Sequence, residues 1–337
     1  MADNKGVMIF AEVIDGKLTA VAKELLGAGR KLANDLKEEL SALVAGSGVG
    51  NIAAEAISFG ADKVYVVDAL LLKDYRTDAY VAVLEKVIKQ ANPRIVLMGQ
   101  TTIGRDLAPR AAFRLATAAV LDCIALEIDA ATKQLLMTKP VYGGNARAIY
   151  TMETLPQIAT VRAKAMAALE PDGARKGQVI ALDAGLDPAA IKTTVLQKVV
   201  HEAEGTKLED AAVVVAGGRG IGGPEGFKQL EELAKVLKGA VGATRPPCDA
   251  GWVPDTIQIG LTGKIVSPYV YIAVAISGAS QHMAGCSGSK NIIAINRDAE
   301  AQIFKEARFG VVGDWKKIIP AFEAKIKELQ TKEPLAK

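Results

Sequence analysis

A chain of 337 residues, half of them hydrophobic, has material for about two domains, and its 41 Lys and Arg against 38 Asp and Glu leave a net charge of only +3, with no reason to expect nucleic acid or an anionic membrane. Scarce aromatics argue against a base-stacking platform, and Cys123, Cys248 and Cys286, odd in number and far apart, form neither a disulfide framework nor a zinc pattern, which suits a reducing compartment. The opening MADNKGVMIFAEV resembles neither a secretory signal nor a transit peptide, and no apolar run approaches the ~20 residues of a membrane span, so a cytoplasmic protein without membrane insertion is expected.

In chain order, VMIFAEV reads as a buried strand, and Leu18, Val21, Leu25, Leu26, Leu32 and Leu36 recur at helical spacing. LSALVAG is a second strand, followed by a Gly turn and NIAAEAISFGA; KVYVVDA is a third. Tyr80, Val83, Leu84, Val87 and Ile88 mark a helix face, and RIVLMG is a fourth strand. Apolar runs with helices between them imply a parallel sheet covered on both faces. From Leu121 to Ala163 the pattern changes, and LDCIALEID, QLLMTKPVYGGNARAIYTM and QIATVRA predict an antiparallel extension of the same domain. MAALEPDGARKGQVIALDAGLD carries turn residues and little periodicity, and the polar HEAEGTKL predicts a domain boundary, placed at 204/205. Alternation then restarts: strands AAVVVAGG, AVGATR, YIAVAIS and NIIAIN, a helix face on Phe227, Leu230, Leu233 and Leu237, and an amphipathic last helix through Trp315, Ile318, Ile319, Phe322 and Ile326. The expected fold class is α/β, two doubly wound domains, the second Rossmann-like.

VVVAGGRGIGGPEGF sets Gly217, Gly218, Gly220, Gly222 and Gly223 between a strand and a helix, and Gly218, Gly220 and Gly223 satisfy G-x-G-x-x-G. Free backbone N–H groups and a helix dipole there favour an anion such as a pyrophosphate. A dinucleotide fold then wants Asp or Glu after the next strand for the ribose, but GATRPPCDAG offers Thr244 and Arg245. Either Arg245 meets a 2′-phosphate, or the ligand lies differently from NAD. IGLTGKIVSP and SGASQH add two polar loops after strands, and such loops converge on one crevice in an open parallel sheet.

The order GGRG, GATRPPCDAG, GLTGKIVSPYVYIAVAISGASQHMAG, IAINRD, GVVGD closely resembles the FAD domain of the electron transfer flavoprotein alpha subunit, from about Ala211 to Ala321. The first half, including GQTTIGRDLAPR, resembles that family's N-terminal domain. The resemblance implies an FAD-binding electron carrier, paired with a beta subunit and serving acyl-CoA dehydrogenase or a similar redox partner. In ordinary members the beta subunit holds AMP; in electron-bifurcating members it holds a second FAD that meets NADH, and this chain leaves that choice open. By the same resemblance Arg219, Gly220, Thr244 and Arg245 match flavin contacts, Arg245 beside the isoalloxazine. Ile259, Gly260, Leu261 and Thr262 match a loop whose Thr hydroxyl reaches the central ring. Ser277, Gly278, Ala279, Ser280, Gln281 and His282 match the loop around pyrophosphate and ring, with His282 near the pyrimidine edge; Asn296 and Asp314 match the adenosine end. One-electron reduction places negative charge on the pyrimidine edge, and Arg245 and His282 are expected to stabilise it as cationic or donating groups. Leu261 stands where the family commonly has Gln, and Thr244 where Ser is common.

Other readings compete. An NADP-dependent oxidoreductase would use the glycine fingerprint and put Arg245 on the 2′-phosphate; a regulatory module would bind ATP or AMP without flavin. Thr101, Thr102 and Arg105 follow a strand and open a helix, so they either face a second nucleotide or cap the helix. His201 is read as a linker residue, the cysteines as small buried residues, and Trp252 and Trp315 as packing.

Overall fold

Apolar runs of four to seven residues without polar alternation bury both faces only inside a layered α/β arrangement. The structure, a computed structural model, describes residues 4–144, 146–197 and 206–332. The expected boundary at 204/205 and His201 lie outside the described residues. Contacts divide the chain into two compact units, Met1–Val141 with Arg147–Val199, and Tyr142–Ala146 with Val200–Lys337.

The first unit runs β1 (Val7–Phe10), a two-residue ribbon β2 (Val13–Ile14) and β3 (Lys17–Leu18), α1 (Ala20–Leu36), β4 (Leu40–Gly46), α2 (Ile52–Ser58), β5 (Lys63–Asp68), α3 (Thr77–Ala91), β6 (Ile95–Gly99), α4 (Thr102–Arg114), β7 (Ala119–Cys123), β8 (Ala125–Ile128), β9 (Leu135–Val141), β10 (Ala146–Tyr150), β11 (Gln157–Val161) and β12 (Gln178–Ala181). Seven of these strands form one sheet in the order β12-β5-β4-β1-β6-β11-β7, every pairing parallel. Alternate β1 side chains serve different layers. Val7 and Ile9 pack with Leu25 and Leu26 of α1, while Met8 and Phe10 pack with Leu84 and Val87 of α3. Each such fully buried side chain contributes roughly 1.5–3 kcal/mol. Helix α1 starts where the Thr19 hydroxyl accepts from Ala22 N–H at 3.2 Å and stops at left-handed Lys37.

One of the runs expected in the antiparallel extension, and the start of another, belong elsewhere. QIATVRA supplies β11 and the first residues of LDCIALEID end β7, both in the parallel sheet, while the rest of LDCIALEID forms β8, antiparallel to β9 in the separate three-stranded sheet β10-β9-β8. An apolar run states that a strand is buried but not which strand it will lie beside. In the stretch read as irregular, GQVIA supplies β12, an edge strand parallel to β5; its residues are mostly exposed, so no apolar run announced it.

The second unit runs β13 (Val213–Gly217), α5 (Pro224–Val236), β14 (Ala240–Ala243), α6 (Arg245–Asp249), β15 (Val270–Val274), α7 (Ser280–Cys286), β16 (Asn291–Asn296), α8 (Ile303–Glu306), β17 (Phe309–Val312) and α9 (Trp315–Lys332). Its five strands are all parallel, in the order β14-β13-β15-β16-β17. Tyr271 and Ala273 of β15 pack with Met283 and Cys286 of α7 on one face; Val215, Ile272 and Val274 pack with Phe227, Leu230 and Trp315 on the other. Written by position within the unit, the order is 2-1-3-4-5, the second common doubly wound order, with its reversal between β13 and β15. Among the described residues no helix is long and apolar enough to cross a membrane.

In the first unit α4 packs directly on the end of β6: a Cβ on Gly104 would stand 1.9 Å from the Gly99 carbonyl oxygen. Both partners are backbone, so Gly104→Ala is expected to destabilise by about 1–3 kcal/mol. A denaturant midpoint unchanged from wild type would contradict this packing.

Candidate functional site

The carboxyl edge of the second sheet is where its loops must meet, because the strands are parallel and the order reverses between β13 and β15. Hydrogen bonds tie those loops together. Gly218 N–H donates to Val274 O at 3.0 Å, Thr244 N–H to Gly217 O at 3.0 Å, Ile259 N–H to Ala243 O at 2.8 Å and Ala275 N–H to Ile295 O at 2.7 Å. The Asn296 amide donates to Ile276 O at 2.9 Å, Gly313 N–H to Asn296 O at 2.9 Å, and the Trp315 indole to Gly220 O at 3.2 Å. Loops carrying Arg219, Thr244, Ile259, Ser277, Asn296 and Asp314 thus share one edge.

The glycine fingerprint works differently from expectation. A Cβ on Gly218 would stand 2.2 Å from Ala275 O, and one on Gly220 would stand 2.9 Å from the Ala275 Cβ. These two glycines admit the β15 turn. Gly218 also spends its N–H on β15. Gly222 and Gly223 are the open pair: both have positive φ, 88° and 159°, and nothing lies within 4 Å of where a Cβ on either would stand. Pro224 at the first position of α5 removes one free N–H from that helix start. Beside the open pair a cleft of about 550 Å³ runs from Ile221 and Gly222 to Trp315 and Lys316.

The rim is polar and exposed: Arg219, Arg245, Thr262, Ser277, Ser280, Gln281 and Asp314 all face solvent. Arg245 pairs with Asp249 one turn on, at 3.1 Å, both side chains more than half exposed. Such a pair is worth little, so the guanidinium is available to a ligand. Gln258 donates to the Thr262 hydroxyl at 3.0 Å, and Leu261 leaves its own side chain exposed while its N–H donates to Gln281 O at 2.7 Å. The loop at Leu261 therefore keeps its path through backbone, whatever its side chain. Gly260 has φ 149°, and a Cβ on Gly285 would stand 2.4 Å from Gly260 N, so α7 lies directly on this loop. Asp314 accepts from Lys316 N–H at 3.0 Å, opening α9, and Asn296 is spent on the loops around it.

His282 is the main correction. Its ring is buried, with Nδ1 3.0 Å from Ile259 O and Nε2 2.9 Å from the Tyr271 hydroxyl. Burial lowers its pKa to about 4, against a smaller opposing effect from the Ile259 carbonyl. At neutral pH it is uncharged, so of the expected cationic or donating roles the cationic one is overturned, and both ring nitrogens are engaged within the chain. Thr244 is likewise buried. The three cysteines are free and buried, and burial raises Cys123 and Cys286 to about 12 and Cys248 to about 11, so none is a thiolate at neutral pH. The residues missed from sequence are Tyr271, Gly285 and Ala275, the last left-handed at φ 53°. Tyr271 reads as one more apolar strand residue; the only signal was a hydroxyl within a run otherwise free of polar atoms.

In the first unit the sheet reverses between β1 and β6, where Glu12 and Thr101 lie. Thr101 caps α4, accepting from Gly104 N–H at 3.0 Å, and donates to Glu12 at 2.5 Å. Thr101 thus caps α4 with its hydroxyl held by Glu12. Thr102 and Arg105 are exposed.

Two family models match the chain: the Electron transfer flavoprotein domain over residues 7–187 and the Electron transfer flavoprotein FAD-binding domain over residues 207–287. An electron transfer flavoprotein subunit alpha of Thermoanaerobacterium thermosaccharolyticum is 46% identical over 331 residues, covering 98% of this chain and 100% of that protein. One of Megasphaera elsdenii is 44% identical over 331 residues, covering 97% and 98%. Protein FixB of Azorhizobium caulinodans is 43% identical over 322 residues, covering 94% and 87%.

Burial raises the Glu12 pKa from 4.5 to about 7, outweighing the Thr101 bond. The folded chain then holds a proton that the unfolded chain releases above 4.5, so stability is full below that value and falls as pH rises through 7. Glu12→Gln is expected to match wild type near pH 5 and to exceed it near pH 8 by roughly 1–3 kcal/mol. Urea unfolding at both pH values checks this; equal gains at both would show that Glu12 carries no buried-charge cost.

Proposed function

The chain belongs to the family of electron transfer flavoprotein alpha subunits, and from that premise we propose that the carboxyl edge of its second sheet holds one FAD. With a beta subunit as partner, it passes electrons singly between a dehydrogenase, such as acyl-CoA dehydrogenase, and a redox acceptor. The observation that carries this reading is the sharing of one carboxyl edge by the loops after the five strands, with Arg219 and Arg245 exposed among them and a separate glycine-lined cleft at Gly222 and Gly223. The donor set fits the group: two guanidinium groups, the Thr262, Ser277 and Ser280 hydroxyls and the Gln281 amide suit a pyrophosphate and a ring with hydrogen-bonding edges. Gly222 and Gly223 leave room for close backbone approach.

Bound there, FAD supplies one-electron redox chemistry that no side chain of this protein offers. The chain's part is to bind, orient and tune. Arg245 supplies positive charge on the rim, and because it is held only by a solvated pair with Asp249, it can turn toward negative charge at modest cost. Neutral His282 contributes by holding the Ile259–Thr262 loop rather than by charge. Thr262 presents its hydroxyl from that loop, and Asp314 and Asn296 order the start of α9 and the β15 turn.

The test is the complex co-expressed with its beta subunit. A yellow protein releasing FAD supports the reading; a colourless one, or one releasing a nicotinamide cofactor, overturns it. One FAD per heterodimer supports the plain carrier, and two support NADH-driven bifurcation. Within this reading Arg245→Ala lowers the potential for the first electron by about 60 mV, one tenfold step in the equilibrium, and Arg245→Lys retains most of it. Potentiometric titration showing all three proteins alike would remove Arg245 from the site.

A further inference from the structure

Tyr271 is fully buried in β15 among the aliphatic side chains of β13, β15, α7 and α8. A buried hydroxyl costs about 1–3 kcal/mol unless it is bonded, so a Phe would serve this core better if packing were all that was required. The hydroxyl lies 2.9 Å from Nε2 of His282, and Nδ1 of the same ring lies 3.0 Å from Ile259 O. A carbonyl only accepts, so Nδ1 carries the proton; in the neutral ring Nε2 is then the acceptor and Tyr271 the donor. The relay runs from strand core through helix α7 to the first residue of the loop that ends in Thr262.

We infer that Tyr271 is a positioning residue for the flavin site, holding the Ile259–Thr262 loop in place through His282. This rests on the proposed function. The loop's other holds are Ile259 N–H on Ala243 O at 2.8 Å, Gly260 N–H on Lys264 O at 3.2 Å and Leu261 N–H on Gln281 O at 2.7 Å, with the local bonds Gly263 N–H on Gly260 O at 3.1 Å and Gln258 on the Thr262 hydroxyl at 3.0 Å. The Leu261 bond reaches the residue next to His282, so tilting the ring strains the bond beside it. Gly260 and Gly285 touch backbone to backbone, leaving no side chain to take up a shift. Without the hydroxyl, Nε2 becomes an unsatisfied buried acceptor, and the ring gains by rotating away from Ile259. The other titratable groups against the ring, Tyr271 itself and Cys286, are kept neutral by burial; Glu306 is the charged group that acts on Cys286.

The experiment is Tyr271→Phe in the complex with the beta subunit. FAD affinity falls about tenfold, the worth of one buried hydrogen bond, and the Leu261 amide exchanges faster with solvent while amides of β13 and β15 do not. A structural role alone would raise exchange throughout the unit and leave the FAD affinity of the folded protein unchanged; that result overturns the inference. Should the variant not fold, the wild type decides. The chain has only His201 and His282, so nitrogen-15 histidine spectra resolve both. One ring must show the Nδ1–H tautomer and remain neutral down to about pH 5; both rings in the Nε2–H tautomer, or both titrating near neutrality, overturns the relay. A wild-type complex without FAD would sink the proposed function, while the exchange and tautomer readouts would still test the relay itself.

Discussion

The second unit depends on one backbone contact. Gly218, just past the end of β13, donates its N–H to Val274 O and lies so close to Ala275 that a Cβ there would come within 2.2 Å of its oxygen. This contact holds the two central strands together at the point where the chain stops adding strands on one side and begins on the other. Ala275 accepts a left-handed conformation to make it, at a cost a non-glycine residue carries only where its surroundings demand it. From that junction the β13 loop leaves toward α5 and the β15 loop toward α7, and they diverge above the sheet. The crevice between them follows from the strand order, before any side chain is considered.

The electrostatics divide along the same line. Below the loops, Tyr271, His282 and Cys286 are kept neutral by burial, whatever their nominal chemistry. Above them, Arg219 and Arg245 are exposed to water. Charge on the rim is screened and adjustable; neutrality beneath keeps the hydrogen-bond pattern fixed. A site built in this way orients its ligand with backbone and uncharged donors, and leaves tuning to side chains that cost little to rearrange.

The parts legible in the sequence were those expressed as runs and spacing. The strands of both parallel sheets from β1 to β6, and β13 to β16, appear as apolar runs because burial on both faces removes alternation, and α1, α3 and α5 appear as apolar spacing. What stayed hidden were partners. β7 and β11 were read as strands but assigned to an antiparallel neighbourhood, since a strand's composition does not encode which edge it joins. β12 and β17 carry exposed residues and announced nothing as burial signals. At the candidate site the residue types pointed to loops that share one sheet edge, yet glycine count did not tell which glycines face protein and which face open space, and the identity of His282 did not tell its charge. Both depend on what comes within 3 Å in the fold, and the residues that come there, Ala275 and Tyr271, belong to a strand read only for its hydrophobicity.

The first unit shows why a reversal in strand order is insufficient for a ligand site. Its sheet reverses between β1 and β6 and sends a 13-residue helix, α4, away from that edge, the same elements that make a crevice in the second unit. There, however, Glu12 stands buried at the reversal and takes the Thr101 hydroxyl, while Thr160 donates to Gln100 and Arg162 pairs with Asp122 at 2.6 Å on the neighbouring strand ends. The polar groups along that edge satisfy one another. A phosphate arriving at α4 would meet a carboxyl that ionises as pH rises, so the field of the helix end is already used from within. In the second unit the second residue after the first strand is Arg219, exposed to solvent, and Gly222 and Gly223 beyond it have no atom within 4 Å of where a side chain would begin. Two sheets with the same kind of reversal therefore present one closed edge and one open edge, and the difference lies in whether the groups after the first strand are buried against one another or left facing open space.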